Sequence, residues 1–292
     1  MIEAITRRIA AAVVLALAFL AAGQAGAEPA LWTVTGRSNT VWLFGSVHLL
    51  PKGGFTIDGA LAEALEDAES VCLEVDSSAL APAQTTSLTL ARAVDPEGRD
   101  LFELLGDDAA RARETASAAG IDLEPFAPFE PWFAGLTVSV MALQQQGYDV
   151  EHGVEKFIEA AAQETGKGGC GLETLDEQLG MLDSLAPELQ RELLLQSIEE
   201  AEDVDAVIAP LLAAWRAGDE TALSARLEDE FGEYPELAEA LIYARNARWA
   251  EQLDEFLTGD DDVLVVVGAL HLVGERGLPA LLEKRGYRVE RN

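Results

Sequence analysis

Positive charge is scarce in this chain. Its 292 residues carry 20 Lys and Arg against 52 Asp and Glu, a formal net charge of −32. Such a surface repels phosphate backbones and makes nucleic acid a poor partner. The acid is spread along helical segments, as expected for a solvated surface. Cysteine is almost absent: Cys72 and Cys170 are the whole supply. That excludes paired C-x-x-C metal sites and a multi-bridge disulfide framework. There is no H-E-x-x-H, no G-x-S-x-G and no phosphate-binding loop, which removes the common zinc-protease, serine-hydrolase and nucleotide-binding readings. Beyond the N-terminus no apolar run is long enough to span a bilayer. Histidine is scarce too, with three in the whole chain.

The N-terminus stands apart from the rest. Arg7 and Arg8 precede an apolar run from Ile9 to Ala22, and Ala25-Gly26-Ala27 ends in small residues. This is the pattern of a secretory signal peptide over residues 1–27, and it predicts a periplasmic or secreted protein. An uncleaved anchor is the alternative, but the run is shorter than the roughly 20 residues a spanning helix needs. About 265 residues remain for folding, enough for one large domain. Cys72 and Cys170 each lie in a candidate buried strand. They read as small buried hydrophobes, with a disulfide as the alternative in an oxidising compartment.

Two of the histidines occur in matching contexts. Val41-Trp42-Leu43-Phe44 leads into Gly45-Ser46-Val47-His48, and Leu264-Val265-Val266-Val267 leads into Gly268-Ala269-Leu270-His271. Glycine at a strand end permits a sharp turn or a close approach of another group. A His three residues later lies at the strand's mouth, where open α/β sheets place ligands. Two such mouths can aim two imidazoles at one point, and imidazole is both a metal ligand and an acid/base at neutral pH.

The elements around each motif repeat. A hairpin over 31–44 leads to Gly45, a loop, an amphipathic helix over 58–69 and a strand over 70–76. At the C-terminus a nearly all-Val strand over 263–267 leads to Gly268, a loop, a helix over 278–285 and a strand over 287–290. The predicted fold is α/β: a pseudo-symmetric core of two strand–GxxH–helix–strand units forms a mixed sheet, with a large helical insertion. In this reading 28–292 is a single domain. Its sheet core comprises 30–76, 168–174 and 262–292, and its helical cap 80–165 and 175–258. Within the cap, helix 131–146 carries few charges and is predicted to be buried, and 235–257 reads as one helix.

Glu74 lies inside the apolar run Val71-Cys72-Leu73-Glu74-Val75, where a charge is costly unless paired or bound to metal. Asp76 shares its face, or simply starts the turn. Glu173 ends the strand Cys170-Gly171-Leu172 just before a Thr174/Glu177 capping box, which puts it at another strand mouth. Arg245 and Asn246 lie on an otherwise acidic helix. Arg245 can balance buried carboxylates or hold an oxyanion. His152, near a helix start among acids, reads as a surface residue.

These motifs together resemble the TraB/GumN family, related to the Tiki metalloproteases and more distantly to erythromycin esterases and the haem-binding ChaN fold. The carriers are Trp42-Leu43-Phe44-Gly45-Ser46-Val47-His48, Leu73-Glu74-Val75-Asp76, Gly147-Tyr148-Asp149 with Gly153-Val154-Glu155, Gly171-Leu172-Glu173-Thr174 with Glu177-Gln178-Leu179, Arg245-Asn246 and Gly268-Ala269-Leu270-His271. The resemblance implies an α/β core, a cleft holding both histidines and several glutamates, and divalent-metal-dependent peptide hydrolysis. Glu155 stands where family members carry Asp, so its reach is longer and direct ligation there is in question. On this reading His48 and His271, with Glu74 or Glu173, bind a Mn, Co or Zn ion. The remaining glutamate is the general base, Arg245 and Asn246 steady the oxyanion, and the substrate is a peptide or small molecule. Two rival readings remain: a non-enzymatic haem or peptide binder, and a metal-free esterase-like hydrolase.

Overall fold

A computed structural model describes residues 28–76, 80–232 and 234–292. The predicted signal peptide lies outside the described residues. The strands are β1 (Leu31–Thr35), β2 (Thr40–Ser46), β3 (Leu50–Pro51), β4 (Ser70–Val75), β5 (Tyr148–Asp149), β6 (Gly168–Glu173), β7 (Val263–Gly268) and β8 (Arg288–Arg291). The helices are α1 (Gly59–Asp67), α2 (Pro82–Ala93), α3 (Leu101–Leu105), α4 (Ala109–Ala118), α5 (Pro131–Gln145), α6 (Val154–Glu164), α7 (Leu175–Asp183), α8 (Pro187–Glu200), α9 (Val204–Arg216), α10 (Glu220–Phe231), α11 (Pro235–Ala238), α12 (Ala244–Thr258) and α13 (Leu278–Lys284).

Six strands form one mixed sheet in the order β6-β4-β7-β2-β1-β8. The first four run parallel, whereas β1 is antiparallel to both β2 and β8. The expected α/β class with a mixed sheet and helical insertions is therefore present. Val263–Val267 is the most buried stretch of the sheet, every residue lying in the core. Each such side chain contributes roughly 1.5 kcal/mol or more by leaving water, which fixes β7 as a central strand. β3 and β5 make a separate two-stranded ribbon that periodicity does not reveal.

The order has a consequence for ligand placement. β2 and β7 are neighbours, but the chain leaves them in opposite directions. From β2 it passes through α1 to β4. From β7 it passes through α13 to β8. Leu61, Ala64 and Leu65 of α1 pack on one sheet face with Phe44, Leu264 and Val266. Leu278 and Leu282 of α13 pack on the other with Leu43, Val265 and Val267. The β2–β7 boundary is thus a topological switch point, the place in such sheets where a crevice opens at the strands' C-terminal ends.

The helical insertion builds its own core, with Leu101, Leu105, Phe126, Val138, Leu194 and Ile198 at its centre. Helix α5 departs from expectation. Trp132, Ala134 and Val138 are buried, but Leu136 and Met141 face out, because only one side of the helix meets α8. The cysteines depart too. Cys72 and Cys170 are opposite each other across β4 and β6 and are joined as a disulfide, rather than lying as separate thiols. Parallel pairing in register brings their Cα atoms to 4.5 Å, within bridging distance.

Candidate active site

His48, Glu74, Glu155, Glu173, Arg245 and His271 gather near the C-terminal ends of the four parallel strands. Ser46 of β2 is opposite Gly268 of β7, so the two Gly-x-x-His motifs sit side by side, offset by one residue. The missing side chain of Gly45 lets Ala269 pack against β2: a Cβ on Gly45 would stand 3.3 Å from the Ala269 Cβ. Beside Gly268 the site converges. A Cβ there would fall 3.3 Å from Glu74 Oε1, 3.5 Å from His271 Cδ2 and 3.9 Å from His48 Nε2.

His271 is buried on a one-turn 3-10 helix, Ala269–Leu272, with its ring against Trp249. Asn246, fully buried, decides its tautomer. The Asn246 amide nitrogen donates to the carbonyls of His271 (3.1 Å) and Arg276 (2.8 Å), so Oδ1 must face His271 Nδ1 at 2.6 Å. The ring proton therefore sits on Nδ1, and the Nε2 lone pair points into the cleft. Burial, helped by the nearby Arg245 charge, outweighs the pull of Glu74 and lowers the His271 pKa to about 3. The ring is neutral at physiological pH.

His48 is held in the same way by a different partner. Its Nδ1 donates to Glu155 Oε1 at 2.8 Å, and the Ser46 hydroxyl donates to the same oxygen. The Glu155 charge raises the His48 pKa to about 9 against the effect of burial. The His48 side chain is 60% exposed, so solvent screens part of that attraction. Gly153 makes the arrangement possible. A side chain there would collide with the His48 carbonyl oxygen, its Cβ only 2.2 Å away, and Val154 N–H donates to the Val47 carbonyl at 3.1 Å. That contact docks the start of α6 beside β2 and delivers Glu155 to His48.

Glu74 accepts the Gly268 N–H on Oε1 (2.7 Å) and the Arg245 guanidinium on Oε2 (2.5 Å). Its Oε1 is 3.8 Å from His271 Nε2. Burial opposes its charge, but His271, Arg245, His48 and the Gly268 N–H together carry its pKa below the usual carboxylate range. Glu173 stands behind Arg245, bound by Nη2 at 2.6 Å and Nε at 3.2 Å, with half-exposed Arg248 3.4 Å away. Asp76 lies past the end of β4, where its main chain packs on Gly171. His152 is half-buried at the entry to α6.

Arg245 and Asn246 come from an irregular helix. The predicted continuous helix 235–257 instead contains a π-helical turn, Glu239–Tyr243, directly before α12. Such turns free a carbonyl and often occur at functional sites. Here Leu241 O accepts Arg245 Nη1 at 2.9 Å. Ser46, within the first Gly-x-x-His motif, and Gln178, which donates to Glu74 at 3.4 Å, are site residues to which the sequence assigns no role. Among the described residues, no group of three or more His, Cys, Asp or Glu side chains is disposed to hold a metal ion.

A family model described as TraB/PrgY/gumN matches residues 30–291. The chain belongs to the TraB/PrgY/gumN family. The resemblance carried by the motifs is thereby borne out. A protein named "Uncharacterized protein YbaP" from Escherichia coli (strain K12) is 24% identical over 241 residues, covering 82% of this chain and 86% of that protein. The protein of the same name from Shigella flexneri matches with the same figures. No solved structure gives a significant match.

Proposed function

We propose that this cleft hydrolyses a peptide or ester bond outside the cytoplasm, with a divalent ion of the Mn, Co or Zn class held by His48, His271 and Glu74. One observation carries the reading. Each histidine has its Nδ1 tied to an acceptor, Glu155 or Asn246, and each turns its other nitrogen or ring edge toward the space beside Gly268. Metal-ligating histidines are oriented in this way by outer partners. Two imidazoles and a carboxylate are the donor types that suit these ions, though with Arg245 against His271 they are not grouped, among the described residues, as a ready-made metal site. When bound, such an ion would lower the pKa of a coordinated water and polarise the scissile carbonyl.

The chain's own groups have distinct tasks in this reading. Glu155, steadied by Ser46, orients His48. Asn246 commits Oδ1 and one amide hydrogen to His271 and the other hydrogen to the Arg276 carbonyl, so it serves as a positioning residue rather than as an oxyanion donor. Arg245 neutralises Glu173 and Glu74. Arg248, half exposed beside Glu173, is the donor available at the rim for a substrate oxygen.

Elemental analysis of the purified protein, with His48→Ala and His271→Ala beside it, tests the ion. A stoichiometric divalent ion that both substitutions abolish, together with chelator-sensitive cleavage of a peptide and ester panel, is the expected result. Chelator-resistant ester turnover would replace this reading with the metal-free one. A Soret shift on haem addition that His48→Ala removes would replace it with the binder.

A further inference from the structure

The cleft already contains a cation, and it is a side chain. The Arg245 guanidinium touches Glu74 Oε2 at 2.5 Å, Glu173 Oε1 at 2.6 Å and Glu173 Oε2 at 3.2 Å. Its Nη1 is also 3.1 Å from His271 Nε2. Because Asn246 fixes the His271 proton on Nδ1, this last contact is an Nη1–H donating to the Nε2 lone pair. The lone pair and carboxylate needed to bind an ion are therefore both engaged by one residue. His48 Nε2 is the remaining member of the donor set, and no protein hydrogen bond involves it among the described residues.

We infer that Arg245 is a built-in competitor for the metal position, an extension that rests on the metal-binding reading. With no ion bound, the guanidinium neutralises two buried carboxylates that would otherwise repel each other. For an ion to bind His271, the Nη1–H must leave Nε2. The release leaves one Nη1–H without its acceptor, while the other keeps Leu241 O of the π-helical turn at 2.9 Å, so displacement carries a cost that ion binding must offset. The carboxylates Glu74 and Glu173 keep their Nη2 and Nε contacts in that step. Arg245 thus weakens the site for any cation and sets the concentration at which an ion can enter.

Isothermal titration of the full chain with Mn²⁺ and with Zn²⁺ tests this, using wild type, Arg245→Met and Arg245→Lys. Met fills similar space without charge, and Lys keeps the charge but loses the planar fork. Arg245→Met is expected to bind the ion at least about tenfold more tightly than wild type. It should have a lower Tm without metal and a larger metal-induced rise in Tm. Arg245→Lys should stay closer to wild type, and His271→Ala should abolish binding in either background. Should Arg245→Met be unfolded without metal, refolding driven by the ion supports the inference, and Arg245→Gln supplies the affinity comparison. Equal or weaker binding by folded Arg245→Met or Arg245→Gln overturns the competitor role while leaving the metal site standing. No binding by wild type or any variant overturns the metal reading itself.

Discussion

The Cys72–Cys170 bridge offers a measurable test of how the site is held together. β6 is an edge strand with little of its own to anchor it. Gly168, Gly169 and Gly171 have no side chains to pack, and only Leu172 and Glu173 are buried. Beyond its ladder with β4, its side-chain ties include the Lys167 ammonium on the Glu66 and Ala68 carbonyls and the clamp of Glu173 by Arg245 and Arg248. The disulfide closes a span of 98 residues. A chain-entropy treatment gives up to about 4.7 kcal/mol for a loop of that order, and native bridges typically contribute about 2–4 kcal/mol. Replacing both cysteines by Ala should therefore lower the unfolding free energy by about 2–4 kcal/mol. Guanidinium unfolding reads this out, with a somewhat larger m-value because the unlinked denatured chain exposes more surface. Hydrogen exchange should accelerate more across 168–173 than in β7, whose amides report only the global loss. A loss below about 1 kcal/mol, with exchange in β6 unchanged, would refute the reasoning. The clamp and Leu172 would then suffice to hold the strand, and the bridge would be incidental to the site.

Two further predictions follow from local geometry. Gly153→Ala puts a Cβ on the His48 carbonyl and should cost about 1–3 kcal/mol by overpacking. It should also reduce hydrolysis by more than the stability loss explains, as measured by turnover at a temperature where the variant is fully folded; unchanged turnover would show that the α6 docking does not position His48. Asp95 is held down to about 2, chiefly by its side-chain bond to Arg99, from an ordinary 3.8. A carboxyl lowered on folding stabilises above its ordinary pKa, and that stabilisation fades as pH falls through about 2. The stability gap between wild type and Asp95→Asn should therefore close between pH 5 and pH 2 in urea titrations, and a gap constant with pH would rule the pairing out.

What could be read from the sequence, and what could not, divides by the range of the interactions. The all-Val run 263–267 declares a central strand because both its faces must be buried. The Thr174/Glu177 pair declares a helix start because cap and box lie three residues apart, and the structure shows both bonds of that box. The Gly-x-x-His repeat marks two strand mouths for the same local reason. The insertion of β7 between β2 and β4 is different. It pairs segments roughly 190 to 220 residues apart, and no local pattern encodes which neighbour a buried strand chooses. The partner of Cys72 was hidden by the same ignorance, since β4 and β6 must be in register before the thiols can meet. The π-helical turn was hidden for another reason. Glu239–Tyr243 has an ordinary helical composition, and the carbonyl that Leu241 leaves free gains its value only from Arg245 below it. Ser46 looked like any strand-end serine until Glu155 was brought to it by Gly153. In each case the sequence supplied the chemical group and the sheet order supplied its partner, so the least legible property was which donors are already engaged. That property decides whether His271 and Glu74 are open to an ion or shielded from one, and it depends on the position of a single guanidinium.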